Sequence, residues 1–244
     1  MAELEYEQPL NEKVRVYLRL EFLSQQLKSN LANDFKHRCF YPLFALCELT
    51  ERGDSRMDII KDIEKQIRIL VKYLDHPDID RERTTGLLED LNLYRENLQS
   101  HDRPGAQLKK DRFLMALKQR FNMPGACCNF DLPQLHFWLG QDWEIRKVQY
   151  QQWQSHFQSI LKPVELLLKL TRKPSEFVEQ AATAGFYQGT DEHSLSLIRV
   201  KVDTKQGCYP TISGHRNRYA IHFVDFEQQQ HTDKTIAFRL ATCR

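Results

Sequence analysis

Apolar positions between residues 11 and 173 recur at intervals of three and four, the signature of helices with one buried face. The first helix follows Pro9 and Asn11, and Val16, Leu20, Leu23, Leu27 and Leu31 form its stripe. A second, around 39–52, ends at Gly53 as a C-cap, and Asp54 offers an N-cap to a third. There Ile60, Ile63, Ile67, Leu70, Val71 and Leu74 keep the period up to a turn at His76-Pro77-Asp78. A fourth spans 80–99 and stops before Arg103-Pro104-Gly105; a fifth spans 106–121 and stops before Pro124-Gly125. Asp131 and Pro133 start a short helix through Trp138, and 142–172 supplies one or two more, broken at Lys162-Pro163. About seven or eight helices are expected.

After Pro174 the period changes to two. Ile198, Val200 and Val202 alternate with Arg199, Lys201 and Asp203; Tyr219, Ile221 and Phe223 alternate with Arg218, Ala220 and His222; Ile236, Phe238 and Leu240 repeat the pattern. These read as one-sided antiparallel strands. A further strand near 207–212 turns through Ser213–Asn217 into the one from 218. The predicted class is α+β: an all-helical domain over 10–175, then a small antiparallel β domain over 180–244, to which residues 3–8 can add an N-terminal strand.

Composition narrows the class. The chain has 244 residues, 41% hydrophobic and 28% charged, enough to bury a core. Its mean hydropathy is −0.60, and it has no apolar run near the ~18 residues that a membrane helix needs. The acidic start, Met-Ala-Glu-Leu-Glu-Tyr-Glu, lacks an apolar signal core, so a cytoplasmic protein without membrane insertion is expected. No two of the nine glycines lie two, three or five positions apart, which excludes both the dinucleotide fingerprint and the P-loop. Of the six cysteines only Cys127-Cys128 are vicinal, and there is no C-x-x-C. Buried thiols are expected in place of disulfides or a metal site.

Charge is nearly balanced, 35 Lys and Arg against 33 Asp and Glu, too even for a protein that coats nucleic acid over its whole surface. Locally it is uneven. Between 103 and 120, Arg103, Lys109, Lys110, Arg112, Lys118 and Arg120 face Asp111 alone, and residues from 181 onward carry the whole net charge of +2. At 100° per residue, Lys109, Arg112 and Arg120 form a cationic stripe beside an apolar face of Phe113, Leu114, Leu117 and Phe121. Arg15 and Arg19 are i, i+4 neighbours on the first helix, and period two puts Arg216, Arg218 and His222 on one strand face. Either these are three solvated faces, with Arg15 and Arg19 paired to Glu12 or Glu21, or they are parts of a binding surface. Nucleic acid is the rival ligand for a basic helix with nearby aromatics, although no RNP, KH or zinc-finger pattern accompanies it. No nucleophile elbow or metal spacing marks an enzyme, and His136 reads by itself as a histidine that hydrogen-bonds locally.

A colinear series of blocks adds to this reading. It comprises Pro9-Leu10-Asn11-Glu12-Lys13, Leu18-Arg19, Glu51-Arg52-Gly53, Cys127-Cys128, Phe130-Asp131-Leu132-Pro133, Leu135-His136, Trp138-Leu139, Gly185-Phe186-Tyr187-Gln188, Tyr209-Pro210 and Ile212-Ser213-Gly214-His215 with Arg218. In these blocks, from about residue 6 to the last strand, the chain closely resembles the ZapD family of bacterial cell-division proteins. The resemblance implies a helical domain plus a β domain. It also implies a cytoplasmic homodimer, recruited to the mid-cell Z-ring, that binds the C-terminal tail of the tubulin-like protein FtsZ through a basic pocket and cross-links its filaments. Neither catalysis, a cofactor, a metal nor nucleic acid is implied. Carried over residue by residue, the binding positions are Arg19, Arg112, His136 and Arg218, with Arg15 and Arg216 as weaker members and His222 weaker still.

Overall fold

The computed structural model describes residues 3–74, 76, 79–100, 103–125 and 127–244. Of the turn expected at His76-Pro77-Asp78, Pro77 and Asp78 lie outside the described residues. The elements in chain order are β1 (Glu3–Pro9), α1 (Glu12–Ala32), a 3-10 turn (Lys36–Cys39), α2 (Phe40–Arg52), α3 (Arg56–Tyr73) and α4 (Arg81–Ser100). A second 3-10 turn (Ala106–Lys110) precedes α5 (Arg112–Arg120), α6 (Pro133–Leu139), α7 (Trp143–Ser155) and α8 (Gln158–Arg172). The strands β2 (Val178–Ala182), β3 (Phe186–Thr190), β4 (Leu197–Asp203), β5 (Cys208–His215), β6 (Arg218–Asp225) and β7 (Ile236–Cys243) complete the α+β chain. It divides into two compact units: Arg19–Leu167, and the residues up to Leu18 together with Leu168–Arg244.

The helical unit is built on long-range apolar contact. Leu20, Leu27, Phe40, Leu43, Leu46, Ile59, Ile63, Leu91, Leu117, Tyr150 and Phe157 are buried. The predicted break at Lys162-Pro163 does not occur, since Pro163 lies inside α8. It sits five positions past the first residue, where it forfeits one ladder bond, to the Ser159 carbonyl. The chain breaks instead at His156-Phe157, where the His156 carbonyl accepts from Gly105 N at 3.2 Å. Gly53 does end α2, but in an extended conformation, so its glycine freedom is not used there. Asp54 lies one residue before the cap position and accepts from Arg56 N at 3.2 Å.

In the β unit, antiparallel strands form two sheets in the orders β1-β4-β7-β2 and β3-β6-β5. Contact between β1 and β5 and the Thr183–Phe186 bridge bring the sheets together at both margins. The alternation read from the sequence supplies the core: Ile198, Val200, Val202, Tyr219, Ile221, Phe223, Ile236, Phe238 and Leu240 form one buried cluster. The N-terminal strand pairs with β4, Glu5 facing Lys201 and Glu7 facing Arg199. This explains where the C-terminal positive charge goes. Arg199 binds Glu5 at 2.6 Å, Lys201 binds the same carboxylate at 3.4 Å, Arg172 binds Glu7 at 2.6 Å, and Arg239 pairs with Glu3. The Phe177 ring lies beneath Arg199 and Lys201, at 4.7 and 4.1 Å. The acidic N-terminus, expected as a strand but not as a charge partner, thus neutralises basic side chains on one face of the sheet.

Strands β2 and β3 went unread because neither shows a clean alternation; β3 is Phe-Tyr-Gln-Gly-Thr. Gly189 lies opposite Tyr219 in the register, and a Cβ there would come within 2.2 Å of the Tyr219 ring. The tyrosine packs over the glycine, so Gly189→Ala must displace a buried ring. We expect a cost of about 1–3 kcal/mol, measured by chemical denaturation followed by circular dichroism.

Candidate functional site

An aromatic cluster fixes the helices that carry Arg112 and His136. Phe40 of α2 lies 6.0 Å from Phe113 of α5, 5.1 Å from Trp138 of α6 and 5.8 Å from Trp153 of α7. Phe113 stacks on Trp153 at 5.8 Å and meets Trp138 at 6.2 Å. Such ring pairs carry geometric preference beyond their buried area. Asp111 then starts α5: its carboxylate caps Leu114 N at 3.0 Å and accepts from the Trp153 indole at 2.9 Å. With Phe113 and Leu114 turned inward, Arg112 at the first helical position is left exposed. In α6, Leu135 and Trp138 are buried, which turns His136 and Phe137 to the surface.

The expected cationic stripe on the fifth helix is not there. Lys109 belongs to the 3-10 turn before the Asp111 cap, so helical angles do not relate it to Arg112. Lys109 and Lys118 both reach Glu51, at 3.6 and 3.4 Å. Arg120 donates to the Asp131 carbonyl at 2.7 Å. Arg112, by contrast, has no ion pair or side-chain hydrogen bond among the described residues.

On α1 the two arginines part ways. Arg15 binds Glu12 at 3.0 Å, as the solvated reading anticipated. Arg19 is exposed and has no such partner among the described residues. In the β unit Arg216 occupies the turn with φ 56°, outside β6, so it does not share a strand face with Arg218 and His222 as expected. Arg216 and Arg218 are exposed. His222 is half-buried between Phe186 at 4.7 Å and His231 at 4.9 Å. The helical unit therefore holds Arg19, Arg112 and His136, and the other unit holds Arg15, Arg216 and Arg218.

The vicinal cysteines correct another expectation. Cys127 and Cys128 are exposed, whereas Cys39, Cys47, Cys208 and Cys243 are buried. They lie in the loop between Gly125 and α6, in which Phe130 too is exposed. Cys128 Sγ donates to the Gly125 carbonyl at 2.8 Å. Burial pushes the Cys39 thiol up to about 12 and the Cys47 thiol up to about 11, which leaves neither a reactive thiolate. Among the described residues no group of three or more His, Cys, Asp or Glu side chains could hold a metal. No helix there is long and apolar enough to cross a membrane.

Sequence reasoning missed the charge pair that shapes this surface. Arg146, 4% exposed, grips both oxygens of Asp34 at 2.8 and 2.5 Å. It lies over the Trp138 and Trp143 rings at 5.2 and 5.3 Å. The partners are 112 residues apart, so no local spacing announces them.

Known proteins decide the family. The profile of ZapD, described as a cell division protein, matches residues 18–222. The chain belongs to the ZapD family. A Shewanella oneidensis protein named Cell division protein ZapD is 59% identical over 243 residues, covering all of both chains. ZapD proteins from Vibrio atlanticus, 41% identical over 98% of each chain, and Vibrio cholerae, 38% identical over all of both, extend the likeness.

Proposed function

We propose that the protein is a non-enzymatic adaptor of cell division: it works in the cytoplasm at the mid-cell Z-ring, binds the C-terminal tail of FtsZ and, as a homodimer, bundles FtsZ filaments. Membership of a cell-division family supports the setting. The observation that carries the tail reading is selective pairing. Lys109, Lys118 and Arg120 are neutralised within the chain, whereas Arg19 and Arg112, like Arg38, Arg103 and Lys110 in the same unit, are exposed without an ion-pair partner among the described residues. An unpaired guanidinium forms a bidentate fork for carboxylates and has no internal pair to break. Arg19, Arg112 and His136 form the proposed site. Exposed Arg216 and Arg218 make a separate cationic patch on the other unit, and Arg15, already held by Glu12, has the weakest claim.

Single-site affinity need not be high. A disordered tail loses conformational entropy on binding, and two sites in a dimer raise the effective concentration of the second tail once one is held. Nucleic acid fits less well, because the paired Lys109, Lys118 and Arg120 break the basic helix into isolated charges. Anisotropy of a labelled peptide copying the FtsZ C-terminal tail, beside an oligonucleotide of similar charge, tests the reading. Saturable tail binding that weakens steeply with salt, without comparable oligonucleotide binding, is expected. Absence of tail binding, or equal binding of the oligonucleotide, would overturn it.

A further inference from the structure

The second half of α1, the 3-10 turn Lys36–Cys39 and the start of α2 enclose an open groove of about 540 Å³. Its apolar walls are Phe35, Tyr41, Pro42 and Phe121, and its polar rim includes Gln26, Ser29, His37 and Arg38. Two of the wall residues are left uncovered: Tyr41 is 59% exposed and Phe35 42%. Phe121 is the firm wall, seated edge-on against Phe44 at 5.2 Å.

The groove is held open by structure already described. Asp34 precedes Phe35, and its negative charge is neutralised by the Arg146 fork, which bonds both its oxygens. The same carboxylate accepts from Lys36 N at 3.1 Å, Lys36 takes a positive φ of 52°, and Arg38 N bonds the Phe35 carbonyl at 3.1 Å. These contacts fix the turn that presents Phe35, His37 and Arg38. No Asp or Glu lines the groove, and Arg38 has no ion pair among the described residues. An apolar slot whose rim is only cationic or neutral is complementary to an apolar side chain flanked by carboxylates.

Helix geometry links the groove to the proposed site. Arg19, Phe22, Gln26 and Ser29 are spaced three, four and three apart on α1 and so share one face. Gln26 and Ser29 line the groove, and Phe22 is 57% exposed beside Arg19. Seven residues of helix at ~1.5 Å each put Arg19 about 10 Å along the axis from Gln26. An extended peptide covers that distance in about three residues.

We propose that this groove seats the apolar anchor of the acidic tail peptide, with Arg19 taking a carboxylate about three residues from the anchor and Arg38 one on its other side. The inference rests on the tail-binding reading and adds a specificity rule to it: acidic and apolar positions of the ligand must be in register. Tyr41 is the anchor-contacting residue, and because it is exposed its replacement should leave the fold intact.

The test is a binding cycle with the full-length protein. Tyr41→Ser and Arg38→Glu are titrated by anisotropy against the tail peptide, a copy with its apolar anchor changed to serine, and a copy with the carboxylate moved by two positions. Thermal melts of both variants verify folding, and Tyr41→Phe serves as the rescue. We expect about a tenfold loss for Tyr41→Ser and for each altered peptide, no further loss when Tyr41→Ser meets the anchorless peptide, and recovery in Tyr41→Phe. Wild-type affinity in Tyr41→Ser and Arg38→Glu, with binding still lost in Arg19→Glu, would sink the groove and leave the tail-binding reading standing. Failure of the wild type to bind any of the peptides would end both.

Discussion

Arg146→Met is expected to destabilise the helical unit by about 1.5–3 kcal/mol. Methionine keeps much of the aliphatic bulk but removes the guanidinium that bonds both Asp34 oxygens and lies over two indoles. What remains is a partly enclosed carboxylate with one backbone donor, Lys36 N. Arg146 is the buried member and Asp34 the exposed one, so the cost comes from the lost charge-assisted hydrogen bonds and ring contacts of the guanidinium more than from a stranded charge. The sign with pH follows from Asp34, whose carboxyl is held below its usual range mainly by the Arg146 hydrogen bonds. A depressed carboxylate contributes stability that is fully present above its ordinary pKa of about 3.9 and is lost as pH falls through the lower folded value. The gap between wild type and Arg146→Met should therefore narrow in acid. Tryptophan fluorescence during urea unfolding is a local reporter, since Trp138, Trp143 and Trp153 all sit at this cluster. A cost below about 1 kcal/mol that does not change with pH would mean that the pair is a solvated contact.

The same pair shows where sequence reading stops. Periodicity located the helices and the strands around Ile198, Tyr219 and Ile236, because a buried face repeats locally and leaves its period in the chain. It also marked the N-terminal strand, which pairs with β4. Pro163 was misplaced as a break, since the cost of a proline depends on where the helix starts, and that is set by the turn at His156-Phe157. The cationic stripe failed for a different reason. Whether Lys118 is free depends on Glu51, 67 positions away, and no rule of spacing reaches that far. Arg19 and Arg112 could be named from the resemblance, and their lack of ion pairs became visible only once the partners of their neighbours were known. Asp34, Phe35 and Tyr41 carried no signal: an exposed tyrosine and a turn aspartate are common, and they gain significance from Arg146 in α7.

That selectivity ranks the effects of charge reversal on tail binding. Arg19→Glu and Arg112→Glu should each weaken the complex by roughly tenfold or more, and together abolish it, because each replaces an attraction to a carboxylate by a repulsion. Arg15→Glu should do far less, since the Arg15 guanidinium is already committed to Glu12. Lys118→Glu should act through stability instead, as it places a like charge against Glu51. The ordering separates specific recognition from general electrostatic attraction. If net charge alone drew the tail, all four reversals would weaken binding by similar amounts and added salt would erase the differences. If Arg19 and Arg112 are direct ligands, their effects persist at raised salt and appear mainly in the dissociation rate, whereas a remote charge alters mainly association. Stopped-flow measurement of both rates with unlabelled competitor distinguishes these cases, and co-sedimentation with FtsZ filaments carries the result to the assembly. A double reversal that still pelleted with filaments would remove these two arginines from the site.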